Sequence, residues 1–264
     1  FGEPHDHVDL LLGEDQHPVW VTEHEVTGAH ADAALWSGEL DLDLEVLAAC
    51  TFQSRGALTE QSPPDGEHAY ARSKRAGEEL MRASKVPTCI VRLAALFSDW
   101  CEYPPLYVFL ETWLSRGWNR SVLGGRGKTS VPYLHVRDAA ECFARAVERG
   151  RDLEPAEVLL ASPDGATDHQ QLFDATTEYA EGRRRDAWHV PRALARVGMW
   201  GRDVAGRIVG QRPFERPWMA EYIDTHLTVD AQHTRERLDW APRSRLGVLQ
   251  RIPFLVENMR ANAT

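Results

Sequence analysis

The sequence predicts an α/β protein with a largely parallel sheet and a smaller, mostly helical C-terminal lobe. Three observations predict it. Three apolar runs of strand length, LEVLAAC at 44–50, VPTCIVRL at 86–93 and EVLLA at 157–161, are nearly continuous in hydrophobicity. Strands buried on both faces of a parallel sheet read that way. Segments of helical character separate these runs, and such alternation is the pattern of an α/β fold. From Pro191 onward the chain reads almost wholly as helix, which sets off the lobe.

Taken in order, 8–12 is a short strand and 26–36 a helix. The run 44–50 is a buried strand. The turn signal SPPDG opens a helix over 67–84. A second buried strand covers 86–93, and a loop with Trp100 and the pair Pro104 and Pro105 leads into a helix over 105–116. Short strands at 121–123 and 131–136 flank the turn GGRGK, which reads as a surface turn. Asp138 is the expected N-cap of a helix over 139–149. A strand at 157–161, a helix at 168–181 and the helical tail complete the chain. The tail carries a Pro/Trp-rich break at 213–218 and a turn at 240–242.

Composition narrows the function. The chain has 264 residues, 43% of them hydrophobic, enough for one large core or a main domain with a lobe. No apolar run approaches the ~18 residues of a membrane span. The run at 8–12 is broken by Asp9 and follows no basic residue, so it is not read as a signal peptide. The net charge of −10 argues against nucleic acid or a membrane as the main partner. Residues 1–50 hold 12 acidic residues and no Lys or Arg, which reads as a solvated face. Cys50, Cys89, Cys101 and Cys142 have no C-x-x-C spacing, so reduced thiols in a cytoplasmic protein are expected. The histidines at 5, 7, 17, 24 and 30 lack a helical H-x-x-x-H pair and a cysteine partner, so no metal site is expected.

The chemistry points to Tyr70 and Lys74, in Y-A-R-S-K. Four residues apart on a helix, they share one face about one turn apart. There an ammonium lowers the phenol's pKa from its reference near ~10. A phenol so tuned exchanges a proton with a carbonyl or alcohol oxygen. Thr51 follows the buried strand 44–50, and parallel sheets place site residues at strand ends. Its hydroxyl would bond the same oxygen.

These residues resemble the extended short-chain dehydrogenase/reductases, the NAD-dependent epimerase/dehydratase group. TFQSRG at 51–56, YARSKRAGEEL at 70–80 and VRLAALF at 91–97 carry the resemblance. In the same order come VTG at 26–28, VLGGRGKTSVPYLHVRDAAE at 122–141, EVLLASPDGATDHQQLFD at 157–174 and TVDAQHTRERLDWAP at 228–242. In the last of these, Asp239 replaces the family's glycine. The resemblance implies a Rossmann-like, doubly wound parallel sheet formed by 1–95 with 131–175, and a substrate lobe formed by 96–130 with 176–264. It implies NAD or NADP as cofactor and a small-molecule substrate. Thr51 would bond the substrate oxygen and Tyr70 would be the general acid/base. Lys74 would hold the nicotinamide ribose and tune Tyr70. Leu93, Ala94 and Ala95 would pass beside the nicotinamide with their backbone groups. The resemblance also admits a homodimer through the helices at 26–36 and 67–84.

Departures from the family bear on substrate and cofactor. The first strand and its G-x-x-G-x-x-G turn have no counterpart. VTGAHAD at 26–32 lacks the later glycines and lies 23 residues before Thr51. Either an N-terminal stretch lies outside the sequence or a natural protein has lost its dinucleotide half. The first is expected, because a sheet without its first strands exposes an unpaired edge. Glu25 and Ala95 stand where the family carries Asn, and Val131 where it commonly carries an Arg on the nucleotide diphosphate. Without that charge-assisted contact a nucleotide sugar is not the expected substrate. Phe97, Trp100, Tyr103, Pro104 and Leu106, with Trp218, suit a less charged one, or else are lobe core. The function expected is NAD(P)-dependent oxidation, reduction or epimerisation at a carbonyl/alcohol carbon. A cofactor-free binding or regulatory protein and a cofactor-free lyase or isomerase are the alternatives.

Overall fold

The computed structural model describes residues 45–49, 57–64, 69–210 and 217–262. The expected strand at 8–12, the helix at 26–36, Cys50 and Thr51 lie outside the described residues. In chain order the elements are β1 (Glu45–Ala49), β2 (Ala57–Leu58), α1 (Ala69–Ala83), β3 (Thr88–Leu93), β4 (Ala95–Phe97), α2 (Pro104–Leu114) and β5 (Val122–Gly124). There follow β6 (Ser130–Val131), β7 (Tyr133–His135), α3 (Val136–Glu148), β8 (Glu157–Ala161), β9 (Thr167–Asp168) and α4 (His169–Glu181). The last are β10 (Trp188–Val190), α5 (Arg192–Val209), β11 (Thr228–Val229), α6 (Gln232–Leu238) and α7 (Val248–Asn262).

The three apolar runs form one parallel sheet in the order β1-β3-β8. Glu45 pairs with Thr88 and Ala49 with Arg92 across β1 and β3, and Cys89 pairs with Glu157 and Leu93 with Ala161 across β3 and β8. The central strand is buried from Thr88 to Arg92 because both its faces are covered. Side chains alternate along it. Cys89 and Val91 pack with Ala139, Cys142 and Ala146 of α3 and with Trp240. Arg92 turns to the other face and meets Glu78 of α1. This is a Rossmann-like α/β fold with parallel strand pairs, as the sequence predicts.

A second core joins Phe97, Leu106, Leu110 and Trp113 to Leu172 and Phe173 of α4 and to Ile252 and Leu255 of α7. It is the lobe side of the molecule. The chain moves between the two cores right after β3, because β4 pairs with β7 and not with β8.

Two local expectations need correction. The predicted strand at 131–136 is two strands, β6 and β7, divided at Pro132. Proline lacks the N–H a continuous ladder requires. The helix after it starts three residues earlier than expected, and His135 is its N-cap, with the ring accepting from Arg137 N–H. Asp138 lies inside the first turn, buried, where its carboxylate accepts from Arg243 N at 3.0 Å and Arg243 Nε at 2.5 Å. It staples α3 to the segment before α7. By contrast Asp168 caps α4 in a reciprocal capping box with Gln171.

Candidate functional site

The site expected from the sequence depends on where α1 starts. β1 and β3 are parallel and α1 joins them, so α1 runs back across the sheet and begins at the strands' C-terminal ends. A contact fixes the level. Glu78, eight residues past Tyr70, meets Arg92, the penultimate residue of β3. Eight residues of helix are about 12 Å. The Tyr70 backbone therefore stands beyond the end of β3, at the edge where parallel sheets bind ligands. The inward stripe of α1 runs through Ala71, Lys74 and Glu78; Ala71 and Glu78 are buried and Lys74 is half-buried. Lys74 is thus on the side of the helix turned to the sheet.

Glu78 is the anchor of this arrangement, and sequence reasoning missed it. Its side chain is 1% exposed and that of Arg92 3%. Arg92 donates to both carboxylate oxygens, Nη2 at 2.6 Å and Nε at 3.3 Å, and a third nitrogen donates to the Ser62 carbonyl at 2.6 Å. Arg82 adds a bond to Glu78 at 2.7 Å. Burial raises the Glu78 pKa, but the bonds to Arg92 and Arg82 outweigh it and hold the carboxyl below its ordinary range. The available signal was spacing: Tyr70, Lys74 and Glu78 continue one four-residue series.

Leu93, Ala94 and Ala95 lie where the sheet forks. Leu93 pairs with Ala161, and Ala94 N–H donates to the Ala161 carbonyl at 3.0 Å. One residue later, Ala95 N–H donates to the Pro132 carbonyl at 3.0 Å. The side chains of Leu93 and Ala94 pack toward the sheet core and that of Ala95 toward the lobe core. These half-buried residues thus cross the seam between the two cores.

The loop after β4 is held by a second network that the sequence did not reveal. Asp99 accepts two bonds from Arg251 of α7, at 2.7 and 2.6 Å, and its carbonyl accepts from Asn258 at 2.7 Å. His135 Nδ1 is occupied by the Arg137 amide, so Nε2 donates toward Asp99, at 3.4 Å. The Arg251 bonds hold the Asp99 carboxyl below its ordinary range against the effect of burial. Of the aromatic loop, Phe97 and Leu106 are core, as one of the two readings held. Tyr103 is half-buried, edge-on to Tyr133, while Trp100 projects at 61% exposure.

Two other candidates carry no chemistry. The GGRGK turn has its amides taken: Asp224 accepts from Arg126 N–H at 2.7 Å and Lys128 N–H at 3.2 Å. It is a structural turn, not a phosphate cradle. A cleft of about 580 Å³ is lined by Pro63, Arg82, Ala156 and His233 among others. It opens at the start of β8, the opposite end from Ala161, and its Glu157 is already held by Arg237 and His233. No group of metal-ligating side chains occurs among the described residues.

The fit to a nicotinamide dinucleotide is partial among the described residues. The alanine-lined end of β3 and the sheet-facing Lys74 suit a nicotinamide ribose. No cradle for the pyrophosphate occurs among them.

The model of the NAD dependent epimerase/dehydratase family matches residues 45–161, from β1 through β8. No curated protein matches the chain. Among solved structures, UDP-glucose 4-epimerase from Thermotoga maritima with UDP-glucose is similar with a TM-score of 0.58 and 16% identity, covering 85% of this chain and 65% of that one. The human epimerase family protein SDR39U1 with NADPH gives a TM-score of 0.57 and 16% identity, covering 90% and 72%. The dTDP-glucose 4,6-dehydratase of Bacillus anthracis with NAD gives 0.56 and 15%, covering 80% and 61%. The chain therefore spans about two thirds of the length of these structures. Residues 45–161 thus match the model of the NAD dependent epimerase/dehydratase family, and the chain has the Rossmann-like fold of the epimerases and dehydratases it is similar to.

Proposed function

We propose that the protein is an NAD(P)-dependent oxidoreductase or epimerase acting at a carbonyl/alcohol carbon of a small, non-nucleotide substrate. One observation carries the reading: α1 begins at the same sheet edge where Leu93, Ala94 and Ala95 leave β3. In this reading Tyr70 gives or takes the proton of the substrate oxygen, and Thr51 donates a hydrogen bond to that oxygen. Lys74 holds the ribose hydroxyls, and its ammonium favours the ionised form of Tyr70. The Leu93, Ala94 and Ala95 backbone forms one wall of the nicotinamide slot. The bound nicotinamide supplies or accepts the hydride.

The family match and the NAD- and NADPH-bound structures of similar fold support the cofactor class. Val131 supports a non-nucleotide substrate. It sits half-buried on the lobe core, where an arginine would be needed for a diphosphate. The division into 1–95 with 131–175 and 96–130 with 176–264, and a homodimer through α1, are carried forward in the same proposal. Tyr70→Phe tests the mechanism. It should abolish turnover and leave NAD(P)H binding intact; retained turnover would sink the assignment of Tyr70.

A further inference from the structure

Helix α5 is reversed relative to an ordinary surface helix. Ala195, Met199, Asp203 and Gly206 follow four, four and three residues apart and form its inward stripe. Asp203 is 2% exposed and pairs with Arg207 at 3.0 Å. On the opposite side Leu194, Val197 and Gly201 follow three and four apart and are exposed, and Val204, three further on, is half-buried. Leu194 is 63% exposed and Val197 65%, and Trp200 stands beside them at 62%. A surface helix normally puts its apolar stripe inward and its polar face out. Among the described residues α5 packs chiefly on the short 3-10 helix Pro217–Tyr222. Trp188, in the strand leading into the helix, is exposed as well.

Arginines dominate the charge of this helix, although Arg207 is paired with Asp203. Arg196 and Arg207 border the stripe on one side; on the other Arg202 stands beyond Ala205 and Gly198, and Arg192 is at the helix start. Asp203 is the helix's one acidic residue, and it faces inward. The whole-chain charge of −10 hides this local basic excess. Apolar side chains with a tryptophan, bordered by arginines, are the make-up of a helix lying in the interface of an anionic bilayer.

We propose that α5 docks the protein on the surface of a bilayer carrying anionic lipid. Leu194, Val197 and Trp200 enter the headgroup boundary, and Arg196, Arg202 and Arg207 meet the lipid phosphates. The arginines select this occupant over a second copy of the chain. A two-fold contact through α5 would bring two sets of the same positive charges together.

The test is co-sedimentation of the full chain with phosphatidylcholine vesicles, with and without phosphatidylglycerol. The protein should pellet with the anionic vesicles and be released by salt. Arg196→Gln with Arg207→Gln should weaken partitioning roughly 25-fold, about fivefold for each arginine. Leu194→Gln with Val197→Gln should abolish it while far-ultraviolet circular dichroism stays unchanged; both side chains face outward, so folding is spared. No pelleting, equal pelleting with neutral vesicles, or pelleting that neither variant changes would overturn the proposal. So would a vesicle-free dimer that Leu194→Gln with Val197→Gln dissolves.

Discussion

Replacing Glu78 by Gln tests the packing that sets α1 against the sheet. The substitution keeps the shape and removes the negative charge, leaving Arg92 3% exposed without its counter-ion. Breaking a buried ion pair by removing one partner typically destabilises by about 3–5 kcal/mol. Arg92 keeps its 2.6 Å bond to the Ser62 carbonyl, so the lower end, about 3 kcal/mol, is expected. For a chain of this size that is a fall in Tm of roughly 6–12 °C. The double variant Glu78→Leu with Arg92→Met removes both charges and should recover most of the loss, because a buried pair gains little over a well-packed apolar one. Urea unfolding of the wild type, Glu78→Leu, Arg92→Met and the double variant gives the coupling energy. The pH dependence has a definite sign. The folded Glu78 pKa lies below its ordinary 4.5. Its stabilisation is therefore complete above that value and is lost as pH falls through the lowered folded pKa. A single-variant loss below about 1 kcal/mol, the size of a surface pair, would refute the reasoning.

Two further outcomes follow from the same structure. Asp168→Ala removes the capping box of α4 and the Lys128 partner at 2.9 Å, and should cost about 1–2 kcal/mol in urea unfolding. Cys89, Cys101 and Cys142 are buried with thiols pushed up to about 12, chiefly by burial. Mass mapping after treatment with a disulfide reagent near neutral pH should find them unmodified in the folded protein and modified in denaturant.

The sheet was legible because its central strand is buried on both faces. The continuous runs at 88–93 and 157–161 left little room for another reading. The lobe was less legible, since its β-strands are two or three residues long and depend on pairing with distant partners. The Tyr70 and Lys74 spacing was visible, and the backbone puts their helix at the expected edge. What holds that helix was not visible, because Glu78 and Arg92 are 14 residues apart and polar, and nothing local marks them as buried. Asp138 shows the converse error. Its position suited a cap, but a residue 105 positions away claimed it and His135 capped the helix instead. The outward apolar face of α5 was hidden as well, because periodicity reveals a stripe but not the direction in which it points.

The most direct test of the account is a titration of the full chain with NADPH and NADH, read by nicotinamide fluorescence. Saturable binding is expected, and Lys74→Ala should weaken it about tenfold or more, the worth of a lost charge-assisted hydrogen bond. A folded protein that binds neither dinucleotide would contradict it.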